Sequence, residues 1–275
     1  MSTLPQGSLW RPLFDDFTAC LLAKGTRPRT IETRLNYLQR LARTGVEPGE
    51  VTEEVLLDFS ACHDWMPETR HSAFSSFRQF FAWAYRTGRL ETDPAAGLPA
   101  IKRFVPPPRP ISESDFEAAL DQADERTRLI LLLAGKMGLR RSEICLVHAR
   151  DIQQDLLGYS LVVHGKGGKT RVVPIPDSLV FPLRRAGEIG GWVFPSLTAR
   201  EGHLTSGTVA KLAKRVLPVG VCLHQLRHRF ATIVYLRTKD LRAVQLLLGH
   251  DKVSTTQRYV AMDDQRLRLA VNFAA

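Results

Sequence analysis

No apolar run in the sequence approaches the roughly 20 residues that a membrane-spanning helix needs. The opening residues, MSTLPQGSLWRPLFDDF, lack the basic stretch and apolar core of a secretion signal. A cytoplasmic, nucleoid-associated protein without a membrane partner is the expectation. The four cysteines, Cys20, Cys62, Cys145 and Cys222, are scattered and form no Cys-x-x-Cys pair, which argues against a disulfide framework or a structural zinc site. A P-loop is missing. His224 and His228 stand at i and i+4 in HQLRHRFAT, without the glutamate of a His-Glu-x-x-His helix and without a third ligand, so no metal is expected. Internal repeats and low-complexity tracts are absent as well.

Negative charge is the other shortage. The 28 Asp and Glu face 38 Lys and Arg, a net charge of +10 over 275 residues. A polyanionic partner is expected, nucleic acid ahead of a membrane surface, because no lipid-anchor motif occurs. The imbalance is local. Residues 24 to 43 carry Lys24, Arg27, Arg29, Arg34, Arg40 and Arg43 against Glu32 alone, while residues 47 to 68 carry seven acids and no Lys or Arg. A duplex bears one negative charge about every 1.7 Å, so the first stretch suits it and the second does not. The alternative is two differently solvated helix faces.

What is present divides the chain. VPPPRP, from residue 105, has four prolines in six residues and should run extended as a linker. The expected division is a helical domain over 1–104, a linker over 105–111 and a second domain over 112–275. In the first, helices are expected over 9–24, 28–43, from about Thr52, and from Pro67 to Gly88, several closed by glycine. The aromatic stripe Phe74, Phe77, Phe80, Phe81, Trp83 and Tyr85 reads as core. In the second, Ser112 and Asp115 have capping-box spacing, and residues 125 to 138 form an apolar helix. YSLVVHGKGGKTRVVPIP, residues 159 to 176, has two β-branched runs around a Gly- and Lys-rich turn, a hairpin signature. Helices resume near Asp177, apart from a short extended WVFPS. The fold class is therefore mainly α, with a small sheet or hairpin in the second domain.

Chemistry-bearing residues recur along that second domain: Arg140 and Arg141 in GLRRSE, Lys166 in GKGGKTRVVP, His224 and Arg227 in HQLRHRFAT, His250 and Tyr259 in LLGHDKVSTTQRY. His224 and Arg227, three apart, are neighbours on one helix face. Four such boxes in this order, with Tyr259 nine residues past His250, resemble the tyrosine recombinase (phage integrase) family. TRPRTIETRLNYLQRL and the aromatic helix ending RTGRLETDPAAGL resemble that family's core-type DNA-binding domain, a SAM-like helical fold.

The resemblance implies roles. Tyr259 matches the nucleophile, Arg140, Lys166, His224, Arg227 and His250 the other catalytic residues, and Arg141 a variable position. Glu143 matches a supporting acid, and Lys169 a phosphate contact or an exposed residue. Two guanidiniums can fork onto the non-bridging phosphate oxygens. Tyr259, with an ordinary pKa near 10, needs a base or a positive field. His224 is the candidate to share its proton, His250 a phosphate hydrogen-bond donor, and Lys166 the general acid for the 5′ oxygen. A 3′-phosphotyrosyl link keeps the bond energy, so no cofactor is implied.

Implied too are two domains clamped on double-stranded DNA core sites, and a protein monomeric when free and tetrameric on two duplexes. The tail AMDDQRLRLAVNFAA is expected to pack on a neighbouring subunit or in cis, and a directionality factor enters as an optional partner. No arm-binding domain is expected, which suggests a minimal phage or mobile-element integrase. Arg229 stands where relatives often have a small hydroxyl residue, and it and Arg258 depart from the pattern of a chromosome-dimer resolvase, the other reading. A type IB topoisomerase and a non-catalytic DNA-binding module are the alternatives from other classes.

Overall fold

The computed structural model describes residues 8–102, 109–165, 168–188 and 190–249. They fall into two compact units, Met1–Pro106 and Pro107–Ala275. No described helix is long and apolar enough to cross a membrane.

The first unit holds α1 (Trp10–Ala23), α2 (Pro28–Ala42), α3 (Glu53–Ala61) and α4 (Pro67–Arg86). Pro28 and Pro67 open their helices at a position where the missing N–H costs nothing. Thr52 caps α3, its hydroxyl accepting from the Val55 N–H at 3.2 Å. Gly25, Gly45 and Gly88 follow α1, α2 and α4 in the left-handed conformation. Trp10, Phe14 and Phe17 of α1 pack on Phe80, Phe81 and Trp83 of α4, in tilted, stacked and edge-on pairs 5.1 to 6.2 Å apart. The Trp10 indole N–H reaches the Val46 carbonyl at 2.9 Å, so the ring is buried without an unmet donor. Tyr85 departs from the expected stripe: it is 55% exposed, one residue before the C-terminal end of α4.

The second unit is also mainly helical: α5 (Glu113–Gln122), α6 (Glu125–Met137), the single turn α7 (Arg141–Ile144), α8 (Asp177–Ala186), α9 (Ser206–Lys214), α10 (Leu223–Thr238) and α11 (Leu241–Leu248). Ser112 caps α5 by accepting from the Asp115 N–H at 3.0 Å. The expected hairpin is present as β2 (Gly158–His164) antiparallel to β3 (Thr170–Pro174), with Leu161 opposite Val173 and His164 opposite Thr170. A further strand, β1 (Ile152–Asp155), pairs with β2 and completes a three-stranded antiparallel sheet. WVFPS makes only isolated bridges, His148 to Trp192 and Pro195 to His203. Buried side chains of α5, α6, β2, β3, α8 and α9 form one core. A smaller cluster of Phe230, Ala231, Tyr235, Val244 and Leu248 joins α10 to α11. These two clusters fix α6, α10, β3 and the end of α11 around one point.

Candidate active site

That point begins where α6 stops. Gly138 takes the left-handed conformation (φ 67°), and a Cβ there would fall on the Phe230 ring, so only glycine makes this corner without a shift. The corner delivers Arg140 to the start of α7. Its main-chain N–H donates to Glu143 Oε2 at 2.8 Å and its guanidinium Nη1 to Oε1 at 2.6 Å. Glu143 is 2% exposed. From β3, Arg171 forks onto the same carboxylate, Nη1 to Oε1 at 2.9 Å and Nη2 to Oε2 at 2.8 Å. From α10, the buried Arg227 brings Nη1 to 3.7 Å from Oε2 and donates it to the Gly138 carbonyl.

The three arginines share a second target. The last carbonyls of a helix have no partner within it and form its negative end. At α11, Leu247 O accepts Arg171 Nε at 2.8 Å, Leu248 O accepts Arg227 Nη2 at 2.6 Å, and Gly249 O accepts Arg140 Nη2 at 3.3 Å. Three consecutive main-chain acceptors are thus each held by a different element.

Burial alone would push the Glu143 carboxyl up. The hydrogen bonds and charge of Arg171, then the hydrogen bonds of Arg140, outweigh it and hold the pKa at about 2. Glu143 is therefore ionised at neutral pH, one negative charge among three guanidiniums. The excess positive charge borders a cavity lined by Arg140, Arg141, Lys214, His224 and Arg227 over an apolar floor that includes Leu139 and Leu217. His224 is exposed at the first turn of α10, its ring 4.3 Å from that of His228. Such a cavity suits a phosphodiester: forked donors for its oxygens and an imidazole at its edge.

The structure brings together Arg140, Glu143, His224 and Arg227 of the residues expected from sequence. Lys166, His250 and Tyr259 lie outside the described residues, as does the tail. Lys169 is exposed at the foot of β3, its carbonyl accepting the Gly165 N–H at 2.7 Å. Arg171 was not anticipated. The available signal was strand alternation: Arg171 shares its face with the buried Val173, while Val172 points out. An arginine on the inward face of a strand needs a buried partner.

In the first unit the six basic residues do not share one face. At 3.6 residues per turn, Arg29, Arg40 and Arg43 lie opposite the buried Ile31, Leu38 and Leu41 of α2. Arg29 pairs with Glu32 at 2.7 Å, and Arg40 lies over the Trp65 ring at 5.3 Å. Arg34 lies on the core side, half-buried, with Nε and Nη1 lacking a hydrogen-bond partner and its pKa lowered by burial. Arg27 is at the N-cap of α2, and Lys24 follows α1.

The sequence pattern of the phage integrase family matches residues 110–266, more than half of the chain. The chain belongs to the phage integrase family. This is the family of the tyrosine recombinases, site-specific enzymes of DNA cleavage and religation. Among curated members, tyrosine recombinase XerC of Chromobacterium violaceum is 39% identical over 208 residues, covering 70% of this chain and 69% of that protein. XerC of Xanthomonas campestris is 34% identical over 217 residues, covering 73% of this chain and 66% of that protein. Tyrosine recombinase XerA of Pyrococcus horikoshii is 36% identical over 280 residues, 95% of this chain and 93% of that protein. Among solved structures, a lambda integrase (75–356) dimer bound to a COC′ core site has a TM-score of 0.73 at 20% identity, covering 90% of this chain and 94% of that one. XerH recombinase bound to a palindromic difH substrate has a TM-score of 0.73 at 19% identity, covering 92% and 82%. At such identities the likeness is one of fold, and the fold is the tyrosine recombinase fold.

Proposed function

We propose that this protein is a site-specific recombinase that cuts and rejoins DNA at short core sites through a 3′-phosphotyrosyl intermediate. The gathering of Arg140, Glu143, His224 and Arg227 at one cavity, in a chain of this family, carries the reading. Tyr259 Oη attacks the scissile phosphorus. The new phosphorus–oxygen bond to Tyr259 replaces the bond to the 5′ oxygen, which leaves with a proton from Lys166. Arg140 and Arg227 meet the charge that builds on the non-bridging oxygens, and His250 adds a hydrogen bond there. His224 shares the tyrosine proton. The reverse attack by a 5′ hydroxyl restores the duplex, and the exchange of one phosphoester for another needs no ATP. The first unit is assigned to core-site DNA binding and the second to catalysis, with four copies assembled on two duplexes.

Two biological tasks are compatible with that chemistry. Integration or excision of a phage or mobile element drew its weight from Arg229 and Arg258. Resolution of chromosome dimers draws its weight from the likeness to XerC and XerA. Arg229 is engaged inside the fold, by Glu113, which leaves Arg258, outside the described residues, as support for the first task, against the likeness to XerC and XerA for the second.

The test is covalent trapping. Labelled duplexes from the DNA flanking the gene, and from the host chromosome, are mixed with wild-type protein and with Tyr259→Phe in the absence of metal. An SDS-stable adduct from wild type alone supports the reading, and the duplex that traps it identifies the task. An adduct from Tyr259→Phe removes the nucleophile assignment. Tight binding without any adduct favours a DNA-binding module.

A further inference from the structure

We infer that Arg171 is a positioning residue for the reaction: it offsets the charge of Glu143, so that the positive charge of Arg140 and Arg227 is directed at the phosphate. The inference rests on the recombinase reading above.

Glu143 poses a problem for a phosphate site. A buried carboxylate organises Arg140, holding both its main-chain N–H and its guanidinium. The same negative charge would cancel part of the field that the two catalytic arginines supply, and within a buried site that charge is poorly screened.

Arg171 has the geometry that resolves this. Its fork places one N–H on each Glu143 oxygen, and its Nε is spent on Leu247 O. Its side chain is 11% exposed, and it does not line the cavity that Arg140, His224 and Arg227 line. It therefore faces the carboxylate and not the substrate. One positive charge is matched to one negative charge behind the site, and the excess from Arg140 and Arg227 is left at the front. A lysine would supply the charge but only a point contact, without the planar fork that fixes the carboxylate.

A plain staple between β3 and α11 would use the same contacts, so the test must separate charge from attachment. Single-turnover cleavage of a nicked trapping duplex and DNA affinity are measured for wild type, Arg171→Ala, Arg171→Lys, Glu143→Gln, and Arg171→Ala combined with Glu143→Gln. Melting curves establish that each is folded. Arg171→Ala should cleave ~100-fold slower, the scale of a misplaced catalytic group. Its affinity for DNA should change by less than about 3-fold, since the loss is confined to the transition state.

The deciding comparison is the double variant. Removing the uncompensated charge should return about 10-fold of the lost rate relative to Arg171→Ala alone, one pKa unit's worth of interaction. Arg171→Lys should lie between wild type and Arg171→Ala. A double variant as slow as Arg171→Ala or slower overturns the inference in favour of a staple, and so does wild-type speed in Arg171→Ala. Should Arg171→Ala not fold, Arg171→Lys with unchanged affinity and unchanged rate overturns it equally. A wild-type protein that forms no adduct overturns the recombinase reading and this inference together, whereas normal wild-type cleavage with an indifferent Arg171 overturns only this one.

Discussion

Arg229 and Glu113 form a forked ion pair, with Nη2 2.6 Å from both carboxylate oxygens and Nε 2.9 Å from Oε2. The guanidinium also lies 4.2 Å over the Phe116 ring and donates to the Gly135 carbonyl at 3.1 Å. Arg229 thus ties α10, which carries His224 and Arg227, to α5 and α6. Its side chain is 9% exposed and that of Glu113 63%. The two partners are therefore unequal to lose. Glu113→Ala leaves a buried guanidinium short of its counter-ion and should cost about 2 kcal/mol. Arg229→Met keeps the packing and should cost about 1 kcal/mol. Urea unfolding of the two variants checks the order; a reversed order refutes the account.

The Glu143 carboxyl gives an acid limb to stability. Its pKa in the fold is about 2, below the ordinary 4.5, so the ionised form favours the fold. That contribution is complete above pH about 4.5 and is lost as pH falls towards 2. Melting temperature against pH should fall less steeply over that window in Glu143→Gln than in wild type. Parallel curves would mean that Glu143 is not the group responsible.

Arg227→Lys tests the double duty of that side chain. Lysine cannot reach both the Gly138 and Leu248 carbonyls while presenting a fork to the cavity. Cleavage should fall on the order of 100-fold or more, with the protein still folded and bound to DNA. A rate near wild type would show that one point charge suffices there.

Lys166 is tested by its leaving group. A duplex whose scissile 5′ oxygen is replaced by sulfur needs no acid, so Lys166→Ala should cleave it close to the wild-type rate. Continued inactivity on that substrate, in a folded variant, removes the acid role.

The face of α2 makes a prediction about DNA. Each of Arg29, Arg40 and Arg43, changed to Ala, should lower the slope of log affinity against log salt by about 0.9 if it meets a phosphate. Arg34→Met should leave the slope unchanged and raise stability, because Arg34 has buried nitrogens without a partner. An unchanged slope in all three outward variants would place the duplex on another surface.

The elements most legible in the sequence were those with punctuation. Thr52, Ser112 and the glycines after α1 and α4 bounded their helices where local chemistry required. The hairpin showed itself through β-branched runs on both sides of a glycine turn. Strand β1, IQQD, did not, because it is short, polar and mostly exposed, and owes its existence to pairing with β2. The family boxes revealed Arg140, Glu143, His224 and Arg227, since spacing along a chain survives in the chain itself. Arg171 was hidden beside Lys169 in a run of basic residues, and only the sheet decides which of them turns inward. Arg34 was hidden in the same way: its charge is visible in the sequence, but the helix phase that buries it is set by Ile31, Leu38 and Leu41.

Among the described residues, the arginines grip the end of α11 through the main-chain carbonyls of Leu247, Leu248 and Gly249. Every residue type carries that carbonyl, so the arginines place almost no demand on which side chains α11 uses. Val244 and Leu248 must fill the cluster with Phe230, and Gly249 must hold its left-handed turn beside Arg171. The exposed remainder, Leu246 among it, is free to drift. Substitution at Leu246 should therefore leave all three arginine contacts in place.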